Sequence, residues 1–340
     1  MLDALNQAVD MLIQQGVAVE YHTSLVAEPT FNDFEEIVGL ARDFKADCVA
    51  GVGGGSVMDV AKMVAALIYS EQKLDEVVGI RFLTGRSVQL ICVPTTSGTG
   101  SEMSPNAILL DQRDNGKKGI ISPFLVPDAV YIDPLLTVNL PADITAYTGL
   151  DALTHCIEAY CNKFAHPMVD LYALEGIRLI GANLVKAVKK GDDVEARTAV
   201  SLGSMYGGMC LGPVNTAAVH ALAYPLGSEF KMAHGLSNAL LLPFVMAFNM
   251  EGNEQRYAEV ATALGVVPYS SYRETALAGI NWLKQMMSEC NIPAGLSAVG
   301  VNENDFELLA DGAMKVQRLL NNNLRVVERE DAIGIYKCAF

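Results

Sequence analysis

Five histidines stand in this 340-residue chain, at positions 22, 155, 166, 220 and 234. In "GLDALTHCIEAY" Asp151 precedes His155 by four, so on a helix both side chains leave one face. In "VHALAYPLGSEFKMAHG" His220 and His234 flank Pro225. That proline predicts the end of one helix, and Gly235 predicts a turn just after His234. One imidazole would then sit on a helix and the other on a loop that folds back. One carboxylate and three imidazoles form a mixed nitrogen–oxygen set suited to a borderline divalent ion. His155, His220 and His234 lie in weakly charged stretches, where an unpartnered imidazole is costly. A metal ion would satisfy them, and so would backbone carbonyls. His22 and His166 have polar neighbours and are expected to be solvated.

A second constellation precedes these. "DCVAGVGGGSVMDVAKMVAAL" sets Gly53, Gly54 and Gly55 between an apolar run and a helix-like run. Bare backbone at a helix start can approach an anion closely, although a tight strand-to-helix turn would use the same residues. "PTTSGTGSE" (94–102) adds hydroxyls and glycine after the next strand. Both stretches fall at carboxyl ends of strands, where open α/β sheets bind ligands. The match to GxGxxG is poor and GxxxxGK[ST] is absent, so neither a standard dinucleotide fingerprint nor a P-loop is present.

The elements that must position these residues change character along the chain. Residues 2–15 have helical spacing and "VAVEYH" (17–22) alternates like a strand. "TFNDFEEIVGLARDF" opens on the capping-box pair Thr30 and Asp33. "DCVAGVG" predicts a short buried strand, and Ser56 to Tyr69 a helix. "SVQLICVP" (87–94) and "DAVYID" (128–133) predict further strands, and "AILLDQRDNGKKGII" a hairpin about Asp114, Asn115 and Gly116. After Leu140 the periodicity is helical throughout. The expected organisation is a Rossmann-like parallel-sheet α/β domain over 1–140 and an all-helical domain over 141–340.

Composition bounds the partners. A net charge of −15 argues against a nucleic-acid partner. The opening "MLDALNQAVDMLIQQG" lacks a basic n-region and is no signal peptide. Seven scattered cysteines without a CxxC pair predict free thiols and a cytoplasmic setting. The uncharged stretch from Thr198 to Ser228 is long enough to span a bilayer, but its Gly, Pro, Asn and His residues point to a helix buried in a large domain.

The motifs "GGGSVMDVAK", "PTTSGTGSE", "DPLLTVNLP", "TGLDALTHCIEAY" and "HALAYPLG…HGLSNALLLP" together resemble the iron-containing (group III) alcohol dehydrogenases, and the resemblance runs to the terminal "IYKCAF". It implies the dehydroquinate-synthase-like fold and a homodimer at least. It implies Asp151, His155, His220 and His234 as ligands of Fe²⁺ or Zn²⁺. Gly54, Gly55, Ser56 and Asp59 would contact NAD or NADP, Thr95, Thr96 and Thr99 would line the phosphate and nicotinamide pocket, and Lys117 would reach the ribose. The implied reaction is hydride transfer between NAD(P) and a small primary alcohol or aldehyde, with no membrane or nucleic-acid partner.

Two departures from the family pattern stand out. Tyr224 replaces a histidine common near the substrate, and a phenol donates a hydrogen bond but cannot act as an imidazole relay. Tyrosine also occurs there in proteins resembling the hydroxyacid–oxoacid transhydrogenases. A hydroxy acid or semialdehyde, or a maleylacetate-reductase-like reaction, is therefore the alternative, and Tyr224 as mere packing is another. Family members also carry strands ahead of the helix that opens this chain. Without them an unpaired sheet edge and an incomplete adenine pocket are expected, and a chain that acts by assembly or partner binding is a further alternative.

Overall fold

The computed structural model describes residues 2–25, 28–114 and 116–340, with backbone alone for residues 2–4. The chain forms two compact units. One comprises Met1–Thr95 and Pro105–Tyr131, the other Thr96–Ser104 and Ile132–Phe340.

The first unit runs α1 (Leu2–Gln14), α2 (Phe31–Phe44), β1 (Cys48–Gly53), α3 (Gly55–Leu67), α4 (Leu74–Val77), β2 (Gly79–Ile80), β3 (Gln89–Pro94), β4 (Asn106–Asp111), β5 (Gly116–Ile121) and β6 (Ala129–Val130). β1, β3 and β6 form a parallel sheet in that order, and β2, β5 and β4 form a second sheet. The expected hairpin is the antiparallel β4–β5 pair, although its tip residue Asn115 lies outside the described residues. Thr30 and Asp33 cap α2 reciprocally, at 2.7 Å and 3.2 Å. α3 is apolar nearly all round and is buried accordingly. Met58, Ala61 and Ala65 pack with Leu90 and Cys92, whereas Met63, Val64 and Leu67 join Phe34, Leu109 and Ile120.

The strand expected at 17–22 does not form. These residues are irregular, and all but Val19 are exposed. Alternation alone cannot hold a strand, because its backbone groups need a ladder partner. Among the described residues β1 pairs only with β3, so β1 edges its sheet. The strand expected over 128–133 shrinks to Ala129–Val130.

The second unit contains α5 (Ala142–Tyr160), α6 (Pro167–Lys189), α7 (Val194–Leu211), α8 (Ala218–Phe230), α9 (His234–Met250), α10 (Glu254–Ala263), α11 (Tyr272–Glu289), α12 (Phe306–Met314), α13 (Gln317–Leu320) and α14 (Arg329–Ala339). The uncharged stretch from 198 becomes parts of α7 and α8. Among the described residues no helix is long and apolar enough to cross a membrane. Leu150, Leu153, Leu222, Leu240, Leu241 and Leu242 are essentially inaccessible, each contributing about 1.5–3 kcal/mol of transfer free energy.

Pro225 does not end a helix. It sits inside α8, which continues to Phe230. A proline removes one backbone hydrogen bond, and here the burial of Leu222 and Leu226 outweighs that loss. Gly312 makes room for the proline ring, since a Cβ there would lie 2.9 Å from Pro225 Cγ. Gly235 likewise forms no turn but lies in the first turn of α9, which His234 opens. A Cβ on Gly235 would stand 2.2 Å from the Tyr147 carbonyl oxygen, so the start of α9 rests directly on the backbone of α5.

Residues 96–104 are locked onto helices of this same unit. Ser97 and Ser201 share a hydroxyl hydrogen bond of 2.8 Å, and Gly98 abuts Thr148. Gly100, at φ +59°, touches Gly208 so closely that a Cβ on Gly208 would fall 2.4 Å from the Gly100 carbonyl oxygen. Gly208→Ala is therefore expected to destabilise the protein by about 1–3 kcal/mol, seen as a lower Tm. Gly334→Ala, in α14 with nothing within 4 Å of its added Cβ, should leave Tm unchanged or raise it. Equal behaviour of the two variants would refute the packing account.

Candidate metal centre

α5 supplies Asp151 and His155 from one face, four residues apart, and both are buried. His220 lies in the first turn of α8, and His234 is the first residue of α9. Asp151 Oδ1 is 3.5 Å from His220 Nε2 and 3.6 Å from His234 Nε2. One ligand atom from each of these three residues lies within 4.8 Å of the others. His155 stands beside this group, its Nε2 3.9 Å from Asp151 Oδ1 and its ring stacked on His220 at 4.8 Å between centroids. The Gly98 backbone lies beside its ring, and its Nδ1 is buried.

Two further residues belong to the cluster, and neither was singled out in the sequence. Glu158 receives the backbone N–H of Val219 at 2.6 Å and holds His220 Nδ1 at 2.6 Å. This turns His220 Nε2 toward Asp151. Asn238, in α9 and wholly buried, donates from Nδ2 to Asp151 Oδ1 at 2.7 Å and lies 3.1 Å from His220 Nε2 and 3.3 Å from His234 Nε2. Helical spacing carries a retrospective signal for both, because Glu158 is seven residues from Asp151 on α5 and Asn238 four from His234 on α9.

The electrostatics call for positive charge. Asp151 and Glu158 are 3% and 5% exposed, and among the described residues neither pairs with a lysine or arginine. Burial pushes the Asp151 carboxyl up, but the surrounding imidazoles outweigh it and hold it below the usual carboxylate range. Burial likewise opposes charge on His220, yet the Glu158 and Asp151 carboxylates prevail and raise it to about 9. His155 is lowered, with burial as its chief cause.

The donors fit a metal. A tetrahedral ion with bonds of about 2.1 Å places its ligands about 3.4 Å apart, close to the separations about Asp151 Oδ1. Imidazole and carboxylate donors suit iron or zinc. Tyr224 adjoins the cluster, its ring 6.1 Å from that of His234, and burial raises its phenol above the ordinary value. His22 is exposed with its Nε2 on Ser24, and His166 caps α6 through Nδ1.

The residues expected to meet the cofactor are placed as follows. Gly54 is the N-cap of α3, whose first amides, those of Gly55 and Ser56, lack intrahelical acceptors by helix geometry. The Asp59 carboxylate accepts the Ile108 backbone N–H at 3.0 Å. Thr95 ends β3 region backbone pairing, its N–H bonded to the Gly53 carbonyl at 2.9 Å. Thr96 and Thr99 are half-buried in the second unit, and the Thr99 hydroxyl accepts the Ser101 N–H. Lys117 is exposed and pairs with Glu28 at 2.6 Å.

Comparison with known proteins shows the family of the chain. Residues 1–134 fit the family model for iron-containing alcohol dehydrogenase, and 145–340 fit the model for the C-terminal part of the same family. The long-chain-alcohol dehydrogenase 1 of Geobacillus thermodenitrificans is 38% identical over 99% of this chain and 86% of its own length. The NAD-dependent methanol dehydrogenase of Bacillus methanolicus is 32% identical over 96% of this chain and 86% of its own. A crystal structure of 1,3-propanediol oxidoreductase superposes with a TM-score of 0.96 at 32% identity, covering 99% of this chain and 88% of that one. With matches that together span nearly its whole length, the chain belongs to the iron-containing alcohol dehydrogenase family and is an alcohol oxidoreductase.

Proposed function

We propose that Asp151, His155, His220 and His234 hold a divalent iron and that the protein interconverts a small primary alcohol and its aldehyde using NAD. The observation that carries this reading is the convergence of Asp151 Oδ1, His220 Nε2 and His234 Nε2, with the buried Glu158 carboxylate on His220 Nδ1 and, among the described residues, no lysine or arginine paired with either carboxylate. The reaction takes an alcohol and NAD⁺ to an aldehyde, NADH and a proton. When bound, the cation supplies Lewis acidity toward the substrate oxygen.

The protein's own residues do the rest. Asp151 contributes negative charge to the ligand set, and Glu158 fixes the orientation of His220. The Tyr224 phenol, raised by burial, stays protonated at neutral pH and can donate a hydrogen bond. The start of α3 offers Gly54, Gly55 and Ser56 to the dinucleotide pyrophosphate. Asp59 contacts the cofactor with them, Thr95, Thr96 and Thr99 serve its phosphate and nicotinamide pocket, and Lys117 reaches its ribose region. In this reading residues 1–140 form the dinucleotide domain and 141–340 the metal domain. A homodimer in the cytoplasm follows from the family resemblance, supported by seven free thiols.

A second substrate reading is favoured by one neighbour of Tyr224. Arg318, on α13, faces the Tyr224 hydroxyl and brings positive charge toward the cluster. It would suit the carboxylate of a short hydroxy acid or semialdehyde.

Three tests follow. Anaerobically prepared, Fe²⁺-loaded protein should contain stoichiometric metal and reduce NAD⁺ with alcohol, and His220→Ala should lose both. Retained metal in that variant would overturn the ligand assignment. Glu158→Gln should keep the fold but weaken metal affinity about 10–100-fold by chelator competition. Arg318→Gln should raise KM for a hydroxy acid while leaving that of the matching plain alcohol unchanged. Equal effects on both substrates would remove the hydroxy-acid reading.

A further inference from the structure

Segment 96–104 divides its residues between two tasks. Thr96 and Thr99, the pair assigned to the cofactor, are half-buried, whereas Ser97, Gly98 and Gly100 are buried within the second unit. Each of these three makes its own contact there. The Ser97 hydroxyl meets that of Ser201, on α7, at 2.8 Å, and both residues are buried. Gly98 lies on α5, where an added Cβ would fall 2.7 Å from Thr148 Cβ. A Cβ on Gly100 would fall 2.4 Å from Gly208 Cα, again on α7.

The landing place on α5 matters. Thr148 and His155 are seven residues apart, two turns along one face, with Asp151 between them. Seated at Thr148, the Gly98 backbone also lies beside the His155 ring. Two further contacts bound this histidine. Its ring stacks on His220 at 4.8 Å, and a Cβ on Gly207 of α7 would stand 3.2 Å from His155 Cβ. His220 is turned by a carboxylate, since Glu158 holds its Nδ1 at 2.6 Å. Among the described residues no side chain bonds His155 Nδ1 in the same way. The aim of His155 therefore rests on the backbone and ring packed against it.

We propose that Ser97 and Ser201 are positioning residues of the metal centre: their hydroxyl bond anchors segment 96–104 on α7, so that the Gly98 backbone seats the His155 ring beside Asp151 and His220. This rests on the metal reading above. Neither serine is a ligand. A seated imidazole is already ordered before a cation arrives, whereas one released from its backing must be ordered during binding, which weakens affinity. The same stretch of main chain carries Thr96 and Thr99, so the anchor also fixes those hydroxyls relative to the ligand set.

The test compares wild type, Ser97→Ala, Ser201→Ala and the double variant as full-length protein stripped of metal. Zn²⁺ affinity is measured against a chromophoric chelator, the visible bands of the Co²⁺-loaded protein report the ligand geometry, and Tm is recorded for each. Thr275→Ala is the control, because it removes another buried hydroxyl of the same unit, one that accepts the Tyr269 N–H at 2.8 Å on α11. Each serine variant is expected to bind Zn²⁺ about tenfold more weakly, the low end for a group that orients a ligand from outside the coordination sphere. The double variant should lose no more than either single, since one bond is broken in all three. Their Co²⁺ bands should shift, while Thr275→Ala lowers Tm and keeps the wild-type affinity and bands. Either single variant carries the test should the other fail to fold. Unchanged affinity and bands in the serine variants, additive losses in the double, or an equal loss in Thr275→Ala would overturn the anchor and leave the metal reading standing. Failure of the wild type to take up Zn²⁺ or Co²⁺ would overturn both.

Discussion

A carboxylate enclosed by imidazoles is the interaction on which the helical unit depends. Asp151 is nearly inaccessible, and Glu158 lies two turns along the same helix, equally enclosed. Burying two negative charges without a paired base is costly unless hydrogen bonds and local positive charge answer them. Two of the elements packed against α5 contribute to that answer. α8 brings His220 and the Val219 amide, and α9 brings His234 and Asn238. The helices therefore do more than fill space around a core of leucines. They deliver polar atoms to one place, each from a first turn or a buried face where backbone geometry leaves little play.

The first unit answers a different requirement. A strand must end, a helix must begin and the backbone between them must remain approachable. Gly54 at the N-cap of α3 meets this without a capping side chain, which would otherwise occupy the amides that an anion needs. Stability comes from behind, where α3 is buried on both flanks and even Lys62 is enclosed, its Nζ donating to the Asn106 carbonyl. An open helix start is tolerable because the rest of the helix is held by packing.

Much of this was legible in the residues, and the misses have physical reasons. Asp151 and His155 could be read because spacing of four has only one meaning on a helix, and the Thr30–Asp33 cap because it is purely local. Pro225 misled because a proline's local penalty was weighed without the burial of Leu222 and Leu226, which no single sequence displays. "VAVEYH" misled because alternation describes a strand's faces but not the partner its edges require. Glu158 and Asn238 went unnoticed for a third reason. They meet the cluster through helix packing, so their roles appear only when α5, α8 and α9 are brought together.

The bare Cα of Gly235 against the Tyr147 carbonyl has a consequence for how such a protein can change over generations. Main chain meets main chain at that point, so the backbone beside His234 is held by a contact that no side-chain exchange at its neighbours removes. Side chains around the cluster can be exchanged while this backbone contact keeps the start of α9 in register with α5. One missing methyl group is what lets the two backbones meet there.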